Sequence, residues 1–304
     1  MAPREDGRYL IGLIGADIGT SLSPALHERE ADRLGLRCLY RLLDLEALRR
    51  PATEPVAVGD ILAAAALAGY DGLNVTHPAK QLVLGHLDEL SPDAAAVGAV
   101  NTVVFSDGRA IGHNTDLPGF ARSVSVGLPG APLSRVVLLG AGGAGAAVAH
   151  ALLALGGGTV TIFDTVPRRA EALARSLSVH FGPNRAAAGR LTGGGVALAE
   201  AVRAADGLVH ATPTGMRGHP GLPLPVDLLR PDLWVADVVY RPLDTELVRA
   251  ARARGCRVLD GGRMVVFQAA AAFRLFTGID PDVDRMLHHF DSIVLQRRET
   301  HAYR

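Results

Sequence analysis

Residues 135–145 have the sequence RVVLLGAGGAG, and an Ala-rich run continues from there to Leu155. An apolar run, clustered glycines and an Ala-rich run predict a buried strand, a tight turn and a helix. Gly140, Gly142 and Gly145 fit the G-x-G-x-x-G fingerprint of dinucleotide sites. In it the first glycine permits the turn, the second lets a pyrophosphate approach, and the third lets helix and strand pack closely. The residues assigned to this phosphate site are Gly140, Ala141, Gly142, Gly143, Ala144 and Gly145.

An acidic residue stands where a dinucleotide site requires one. Asp164 ends the next β-like run, VTIFD, and lies 24 positions after Gly140. That distance is close to the roughly 20 residues expected before the acid that binds the ribose. A Gly-rich turn without a ligand is the alternative, and Asp164 argues against it. The mid-chain fingerprint favours a nicotinamide cofactor over a flavin.

One segment resembles a membrane span in hydropathy alone. Residues 136–158 carry no charged side chain, and their length would suit a transmembrane helix. Seven of these 23 residues are glycine, which favours a strand, a turn and a buried helix instead. We therefore expect no membrane partner.

The composition is that of a globular protein with balanced charge. The chain has 304 residues, 48% of them hydrophobic, which suits one large α/β domain or two ordinary ones. Lys and Arg number 31, as do Asp and Glu, so a nucleic-acid partner is not expected. Cys38 and Cys256 show no disulfide or zinc spacing, and the N-terminus lacks the apolar region of a secretory signal. These features predict a cytoplasmic protein.

The 11 histidines suggest no metal site. His288 and His289 are adjacent, so on a helix they point in different directions. His77 and His113 have no paired acid/base spacing, and we interpret them as structural or supporting residues. The prediction is that the protein uses no metal.

Strand-like and helical runs alternate along the chain, which predicts an α/β fold with parallel strands and right-handed crossovers. Ser23 is expected to cap a helix over 24–35, and Asp60 a helix over 58–69. A Ser-Asp-Gly turn predicts a hairpin over 99–116, and the Gly- and Pro-rich residues 127–135 predict a domain boundary. A further helix is expected over 264–277. The strands are expected at 10–15, 38–45, 72–77, 135–140, 160–164, 207–212, 234–240 and 256–261.

Small polar residues follow several apolar runs in the first 120 residues. Ligands of open α/β sheets bind at the carboxyl ends of strands, and hydroxyl and amide groups suit a polyhydroxylated ligand. One cation, Lys80, and one anion, Asp116, add groups that can transfer protons. Taken singly, Ser23 could be only a cap, Lys80 a solvated lysine and Asp116 a turn residue. The set is Ser21, Ser23, Asn74, Thr76, Lys80, Asn101, Thr115 and Asp116.

Eight motifs in order along the chain resemble those of the shikimate/quinate dehydrogenase family. They are SLSPALHE, GLNVTHPAKQ, DELSPDAAAVGAVNTVV, GHNTDLPGF, LLGAGGAG, HATPTGM, DVVYRPLDTEL and DGGRMVVFQAA, and they span nearly the whole chain. The resemblance implies reversible hydride transfer between a nicotinamide cofactor and the C3 hydroxyl or ketone of shikimate or quinate. A non-catalytic ligand sensor on the same scaffold is the alternative, which the intact Lys80 and Asp116 disfavour. A methylene-tetrahydrofolate dehydrogenase has a similar layout but would not need the SLSP and GHNTD motifs.

The resemblance also implies roles for residues and two domains. Lys80 and Asp116 are the implied catalytic pair. A Rossmann-type doubly wound cofactor domain, 119–262, is inserted into a substrate domain made of 1–118 and 263–304. The implied substrate-binding residues are Ser21, Ser23, Asn74, Thr76, Asn101, Thr115, Tyr240 and Gln268. Besides the phosphate site, the implied cofactor residues are Asp164, Arg168, Thr212, Val238, Gly261 and Met264.

Two departures from the family pattern bear on the cofactor. His210 stands where the family usually has Asn, and Phe163-Asp164-Thr165 replaces the usual Asn-Arg-Thr. Asp164 and the THPAK stretch resemble the NAD-linked quinate branch, whereas Arg168 matches an arginine of NADP-using relatives. We therefore expect NAD, with NADP also accepted. Ser23 predicts activity on both shikimate and quinate. The expected partner is a hydroxylated cyclic carboxylate, and the expected assembly is a monomer or homodimer.

Overall fold

The computed structural model describes residues 3–48, 57–190 and 195–302. The chain forms two compact units. The first unit comprises Met1–Thr115 and Val266–Arg304, and the second comprises Asp116–Val265. Residues 127–135, predicted as a boundary, lie inside the second unit.

The first unit combines a six-stranded sheet with helices. Helix α10, Gly262–Thr277, begins in the second unit and ends in the first. The other elements are β1 Arg8–Gly15, α1 Ser23–Arg33, β2 Arg37–Asp44, α2 Val58–Leu67, β3 Gly72–Val75, α3 Ala79–Leu82, a 3₁₀ helix Val83–His86, β4 Glu89–Leu90, α4 Pro92–Val97, β5 Thr102–Ser106, β6 Arg109–His113 and α11 Val283–Ala302.

The sheet of the first unit has the strand order β2-β1-β3-β5-β6-β4. Its first three strands are parallel, and β5 and β6 add an antiparallel hairpin. Asp107 and Gly108 both have positive φ, 52° and 75°, as the tight turn of a two-residue hairpin requires. The hairpin predicted from Ser-Asp-Gly is thus confirmed.

Both faces of this sheet are covered. Tyr9, Ile11 and Leu13 alternate along β1 and pack with Ala272 and Phe276 of α10. The opposite face carries a second buried cluster, which includes Ile14 and residues of α2. The sheet is therefore the centre of a layered α/β unit.

The second unit holds the parallel sheet that the Gly-rich motif predicted. Its elements are α5 Asp116–Gly127, β7 Arg135–Leu139, α6 Gly143–Ala154, β8 Thr159–Phe163, α7 Pro167–Phe181, β9 Ala186–Ala188, α8 Val196–Ala204, β10 Gly207–His210, a 3₁₀ helix Val226–Leu228, β11 Trp234–Asp237, α9 Glu246–Ala253 and β12 Val258–Leu259.

The strand order of this sheet is β12-β11-β10-β7-β8-β9, and every pair is parallel. This is the doubly wound order, in which the sequence order reverses between β7 and β10. Leu198 and Val202 of α8 and Leu247 of α9 pack on buried strand residues such as Val137. The predicted α/β fold with a Rossmann-type sheet is confirmed.

Two predicted helix caps are wrong. Helix α1 begins at Ser23 itself, so the cap position falls to Leu22, which makes no side-chain hydrogen bond. Helix α2 begins at Val58 after Ala57, and Asp60 lies in its first turn. Several strands also end two or three residues before the predicted limits: β3 ends at Val75, β10 at His210 and β11 at Asp237. The residues after them belong to loops, where the candidate site residues lie.

Candidate active site

The register of the second sheet gathers four loops at one edge. Leu139, the last residue of β7, is paired with Phe163 of β8 and His210 of β10, and His210 is paired with Asp237 of β11. Because these strands are parallel, the residues after them begin loops at the same carboxyl edge. Of the candidate cofactor residues, Gly140, Asp164, Thr212 and Val238 lie in these loops. This edge includes the switch point between β7 and β10, where open α/β sheets bind ligands.

The Gly-rich turn has the geometry of a phosphate site. Gly140 has φ +102°, a conformation that L side chains rarely adopt. A Cβ on Gly145 would lie 2.0 Å from the carbonyl oxygen of Gly140, so α6 packs directly on the turn. A Cβ on Gly142 would meet nothing within 4 Å, which leaves open space beside the N-terminus of α6. No side chain caps that terminus, and its backbone N–H groups are those that a pyrophosphate uses.

Asp164 is half-buried and holds the Gly-rich turn. Its Oδ2 accepts a hydrogen bond from the backbone N–H of Ala141 at 2.8 Å, and its Oδ1 accepts one from Val166 at 2.8 Å. The carboxylate is therefore fixed at the carboxyl end of β8, next to the glycines. Arg168 and Arg169 are exposed in the first turn of α7. One anion and two cations thus lie near the predicted ribose position.

The remaining cofactor candidates lie near the carboxyl ends of β11 and β12. Gly261 packs on the loop after β11, because a Cβ there would lie 2.7 Å from the carbonyl oxygen of Val238. The backbone N–H of Val238 donates to the carbonyl oxygen of His210 at 3.0 Å. Met264 is buried in the first turn of α10. Tyr240, a predicted substrate residue, also belongs to this unit and follows β11.

The sequence interpretation missed Asp237 and Thr245. Asp237 is buried at the end of β11 and accepts hydrogen bonds from Thr245 Oγ1 at 2.7 Å and from the Val239 N–H at 3.0 Å. It also lies 2.9 Å from Nδ1 of His210. An aspartate inside the apolar run WVADVV was the available signal, since unpaired buried carboxylates are rare.

The carboxyl edge of the first sheet collects most of the predicted substrate residues. Ile14 of β1 is paired with Val75 of β3, and Thr102 of β5 is paired with both Asn74 of β3 and His113 of β6. The end of β1, the end of β3, the start of β5 and the end of β6 therefore share one edge. Ser21, Thr76, Asn101 and Thr115 follow or precede these strand ends.

A buried chain of neutral hydrogen-bonding groups runs along this edge. Tyr40 Oη donates to Asn74 Oδ1 at 2.7 Å, and Asn74 Nδ2 donates to Thr102 Oγ1 at 3.1 Å. Thr102 Oγ1 in turn donates to Asn101 Oδ1 at 3.1 Å. Tyr40 and Thr102 were not predicted. We use the name neutral network for the residues Tyr40, Asn74, Asn101, Thr102, Thr115 and Gln268.

Asn101 and Thr115 complete the neutral network. Asn101 Nδ2 donates to Thr115 Oγ1 at 2.9 Å, and Asn101 Oδ1 accepts from the Thr115 N–H at 2.7 Å. Thr115 Oγ1 lies 3.4 Å from Gln268 Oε1 on α10. The structure thus brings Asn74, Asn101, Thr115 and Gln268 together within one unit. Amides and hydroxyls of this kind both donate and accept hydrogen bonds.

Ser21 and Ser23 form a separate pair after β1. Their hydroxyl oxygens lie 3.3 Å apart, and Ser21 Oγ accepts from the Ser23 N–H at 3.2 Å. The hydroxyl of Ser23 therefore bonds to Ser21 rather than capping α1. Thr76 directly follows β3, and its backbone N–H donates to the carbonyl oxygen of Ile14 at 2.9 Å. That bond joins the start of the loop after β3 to strand β1, which leads into the loop that carries Ser21.

The two predicted catalytic residues are anchored by backbone structure. Lys80 lies in α3, and its carbonyl oxygen accepts from the Val100 N–H at 2.9 Å, which ties α3 to the residue before Asn101. Asp116 is 5% exposed, begins α5 and directly follows Thr115. Lys80 is also the only lysine among the 31 basic residues of the chain, a sequence signal independent of the motif.

A buried histidine lies under the neutral network. The ring of His27 packs 5.0 Å from Tyr40 and 6.0 Å from Phe273 and Phe276, measured between ring centroids. Neither ring nitrogen has a hydrogen-bond partner within the described part of the chain. Burial therefore lowers the pKa of His27 to about 3, from an ordinary 6.5. His27 is a packing residue that stays neutral, not a proton donor.

Neither a metal site nor a membrane span occurs in residues 3–48, 57–190 and 195–302. In those ranges no group of three or more His, Cys, Asp or Glu residues could hold a metal ion. No helix there combines the length and apolarity needed to cross a bilayer. The uncharged stretch 136–158 forms β7, the Gly-rich turn and the 12-residue helix α6.

Two segments of the chain match known protein families, and nearly the whole chain matches individual relatives. Residues 13–103 match the family described as shikimate dehydrogenase substrate binding domain, and residues 263–288 match the shikimate 5'-dehydrogenase C-terminal domain. A shikimate dehydrogenase (NADP(+)) of Streptomyces avermitilis is 64% identical over 279 residues, which are 92% of this chain and 94% of the relative. A quinate/shikimate dehydrogenase (NAD(+)) of Corynebacterium efficiens is 48% identical over 285 residues, covering 93% and 98%.

A solved structure agrees with these matches. Quinate dehydrogenase from Corynebacterium glutamicum in complex with NAD superposes with a TM-score of 0.85 at 45% identity. The match covers 94% of this chain and 99% of the other. The similar proteins therefore include some named for NADP and some for NAD, and some named for shikimate and some for quinate.

Proposed function

The chain belongs to the shikimate dehydrogenase family, and on that premise we propose that it transfers a hydride reversibly between a nicotinamide cofactor and C3 of shikimate or quinate. The protein is an oxidoreductase that interconverts a ring hydroxyl and a ketone. The neutral network is the observation that carries the substrate assignment, because a polyhydroxylated ring needs groups that both donate and accept. Residues 1–118 and 263–304 would form the substrate domain, and residues 119–262 the cofactor domain.

Substrate recognition would use the edge of the first sheet. The Ser21–Ser23 pair and Thr76 supply hydroxyls, while Asn101, Thr115 and Gln268 supply amide and hydroxyl groups already oriented by one another. Preorganised groups lose little freedom on binding, which favours affinity. Ser23 has a small hydroxyl side chain, so we propose activity on both shikimate and quinate.

Lys80 and Asp116 would handle the proton that accompanies the hydride. When bound, the nicotinamide accepts or supplies the hydride. In oxidation, the substrate hydroxyl must lose its proton, and Lys80 or Asp116 can take it. In the reverse direction, the Lys80 ammonium donates to the carbonyl oxygen as negative charge develops there. Arginine could not exchange this proton, because it stays protonated, which fits the single lysine at this position.

The Gly-rich turn fits a dinucleotide phosphate, and we propose NAD as the preferred cofactor. Space beside Gly142 and the N-terminus of α6 suit the pyrophosphate. The Asp164 carboxylate, fixed by two backbone N–H groups, can accept hydrogen bonds from the ribose diol and would repel a 2′-phosphate. NADP would bind more weakly through Arg168 and Arg169. We further propose a cytoplasmic location, where thiols such as the free Cys38 and Cys256 stay reduced.

The test is a matrix of two substrates and two cofactors. Purified protein is mixed with shikimate or quinate and with NAD or NADP, and the absorbance of reduced nicotinamide is followed. Formation of reduced cofactor with both substrates, faster with NAD, is expected. Thermal stabilisation by a substrate without turnover under any combination would instead indicate a sensor. Turnover of shikimate with a preference for NADP would refute the cofactor proposal alone.

A further inference from the structure

A buried hydrogen-bond relay crosses the carboxyl ends of β10 and β11 in the second unit. His210 ends β10 and Asp237 ends β11, and both side chains are 0% exposed. Nδ1 of His210 lies 2.9 Å from Oδ1 of Asp237, and Nε2 of His210 is hydrogen-bonded to Oγ1 of Thr212. The relay therefore connects two strand ends to the first part of the ATPTGM loop.

Counting protons around Asp237 shows which atom lies between it and Nδ1 of His210. Thr245 Oγ1 accepts from the Val248 N–H at 3.1 Å, so its own single proton goes to Oδ2 of Asp237. The Val239 N–H can only donate, and it donates to Oδ1. The carboxylate is therefore surrounded by donors and acts as an acceptor only. It follows that Nδ1 of His210 carries a proton and donates it to Asp237.

The ring in turn decides how the Thr212 hydroxyl points. In the neutral imidazole with its proton on Nδ1, Nε2 presents a lone pair and accepts the Thr212 proton. Thr212 Oγ1 also accepts from the Thr214 N–H at 3.3 Å. The hydroxyl rotor is thereby locked, with its oxygen able to accept one more hydrogen bond. Without the ring nitrogen, the proton of this hydroxyl would lose its fixed acceptor.

We propose that His210 is a positioning residue, which orients the Thr212 hydroxyl to accept a hydrogen bond from a donor group of the nicotinamide dinucleotide. The inference rests on the proposed function, which assigns Thr212 to the cofactor. Thr212 follows β10 at the switch point, so its oxygen lies at the edge that carries the Gly-rich turn. His210 itself is wholly buried and acts only through Thr212.

Two substitutions of His210 separate orientation from simple packing. An asparagine amide replaces the Nδ1 side of the ring and retains the donor to Asp237, whereas a glutamine amide replaces the Nε2 side and retains the acceptor for Thr212. The dissociation constant of reduced cofactor is measured by fluorescence titration without substrate. We expect His210→Gln to stay within about threefold of the parent and His210→Asn to raise the constant about tenfold, the scale of one oriented hydrogen bond. The opposite order would overturn the proposal.

A double-mutant cycle tests whether His210 acts through Thr212. Thr212→Val removes the hydroxyl at nearly constant volume, and we expect it to weaken cofactor binding about as much as His210→Asn. In the Thr212→Val background, His210→Asn should then add less than about twofold, whereas independent effects would multiply and contradict the relay. Thr212→Ser keeps the hydroxyl and should retain the parent affinity.

The parent protein supplies a readout that does not depend on variant folding. In protein labelled with ¹⁵N-histidine, the His210 ring should show a protonated Nδ1 and an unprotonated Nε2. The reverse tautomer would overturn the proposal even if every variant unfolded. A parent protein that binds no nicotinamide dinucleotide would refute the proposed function instead. If the parent binds the dinucleotide and His210→Asn has the same dissociation constant, only the role of His210 is refuted.

Discussion

The carboxyl edges of the two sheets carry polar groups of opposite character. At the first sheet, Asn74, Asn101 and Thr115 are neutral. Side-chain hydrogen bonds join Asn101 to Thr115 directly and to Asn74 through Thr102. At the second sheet, Asp164 and Asp237 are ionisable, and much of their bonding is to backbone N–H groups. The same architectural position is thus built from different chemistry.

The difference follows from what each edge is proposed to recognise. A ring with several hydroxyls requires side chains that can donate and accept, and their mutual bonds hold them ready. A pyrophosphate requires N–H donors, which backbone supplies at a helix N-terminus, so the nearby side chains serve to hold that backbone in shape. On this proposal, side chains of the first unit bind the ring, whereas main-chain N–H groups of the second unit bind the pyrophosphate.

The largest effect is expected at Lys80, the residue of the first unit that we propose exchanges a proton. Lys80→Ala should lower kcat at least about 100-fold, the scale of lost acid–base catalysis, with a smaller change in substrate KM. Lys80→Arg keeps a positive charge, but the guanidinium does not give up a proton to act as an acid or base, so this variant should remain nearly as slow. Steady-state kinetics on both variants measure this, and a near-parental kcat in Lys80→Ala would contradict the assignment.

The single lysine makes its ionisation directly measurable. In protein labelled with ¹⁵N-lysine, the side-chain signal comes from Lys80 alone. A titration of that signal should coincide with a limb of the pH profile of kcat/KM if Lys80 exchanges the proton. A pH profile of kcat/KM that does not follow this titration would indicate that Asp116 exchanges the proton instead.

The next largest effect concerns the charge of Asp164. Asp164→Arg should shift the ratio of kcat/KM values from NAD towards NADP by about 5- to 150-fold, since a repelled phosphate becomes an attracted one. Asp164→Asn is the matched control, because an amide oxygen can still accept from the Ala141 N–H while the charge is gone. It should give a smaller shift in the same direction. An unchanged ratio in both variants would show that Arg168 and Arg169 decide the preference.

Local requirements made part of this molecule predictable from sequence. The conformations of Gly140 and Gly145 are imposed by their own turn, and the Asp-Gly turn of the hairpin is equally local. Ser23 was mispredicted as a cap because helix α1 begins at Ser23, one residue before the predicted start, and because the Ser23 hydroxyl is hydrogen-bonded to that of Ser21. A choice between two nearby hydrogen-bond partners depends on backbone geometry that composition does not encode.

The relay of the second unit shows why other features escaped prediction. His210 and Asp237 are 27 residues apart and meet only because β10 and β11 pair in one register. Tyr40 and Asn74 meet across β1 in the same way. Such contacts depend on which strands are neighbours in the sheet, and the positions of the strands along the sequence do not determine that order.

Acid should destabilise the fold through a histidine below the neutral network. His27 has a folded-state pKa of about 3 against 6.5 when unfolded, so below the latter value the unfolded chain takes up a proton that the folded chain refuses. The free energy of unfolding is therefore unaffected by His27 above pH 6.5. Below pH 6.5 it falls by about 1.4 kcal/mol per pH unit, which amounts to about 2 kcal/mol at about pH 5. Urea unfolding of His27→Leu at several pH values should show a flatter curve than the parent.

A histidine on the surface and one in the second unit sharpen this test. His219 is exposed, and His219→Gln should leave the pH dependence of the parent unchanged. His150 is buried in α6, where burial lowers its pKa to about 4, so His150→Leu should also flatten the curve. Identical curves for the parent and His27→Leu would mean that the ring of His27 is protonated in the folded state.

The smallest effect is expected where the neutral network meets Gln268. Thr115→Val removes a buried hydroxyl that contacts Asn101 and Gln268 but keeps the backbone N–H bond to Asn101 Oδ1. Losing one oriented group should raise the KM of shikimate about tenfold. The dissociation constant of the cofactor should stay unchanged, because its proposed contacts belong to the second unit, and Thr115→Ser should restore the parental KM. Equal losses of substrate and cofactor affinity in Thr115→Val would show that the two edges do not divide recognition between them.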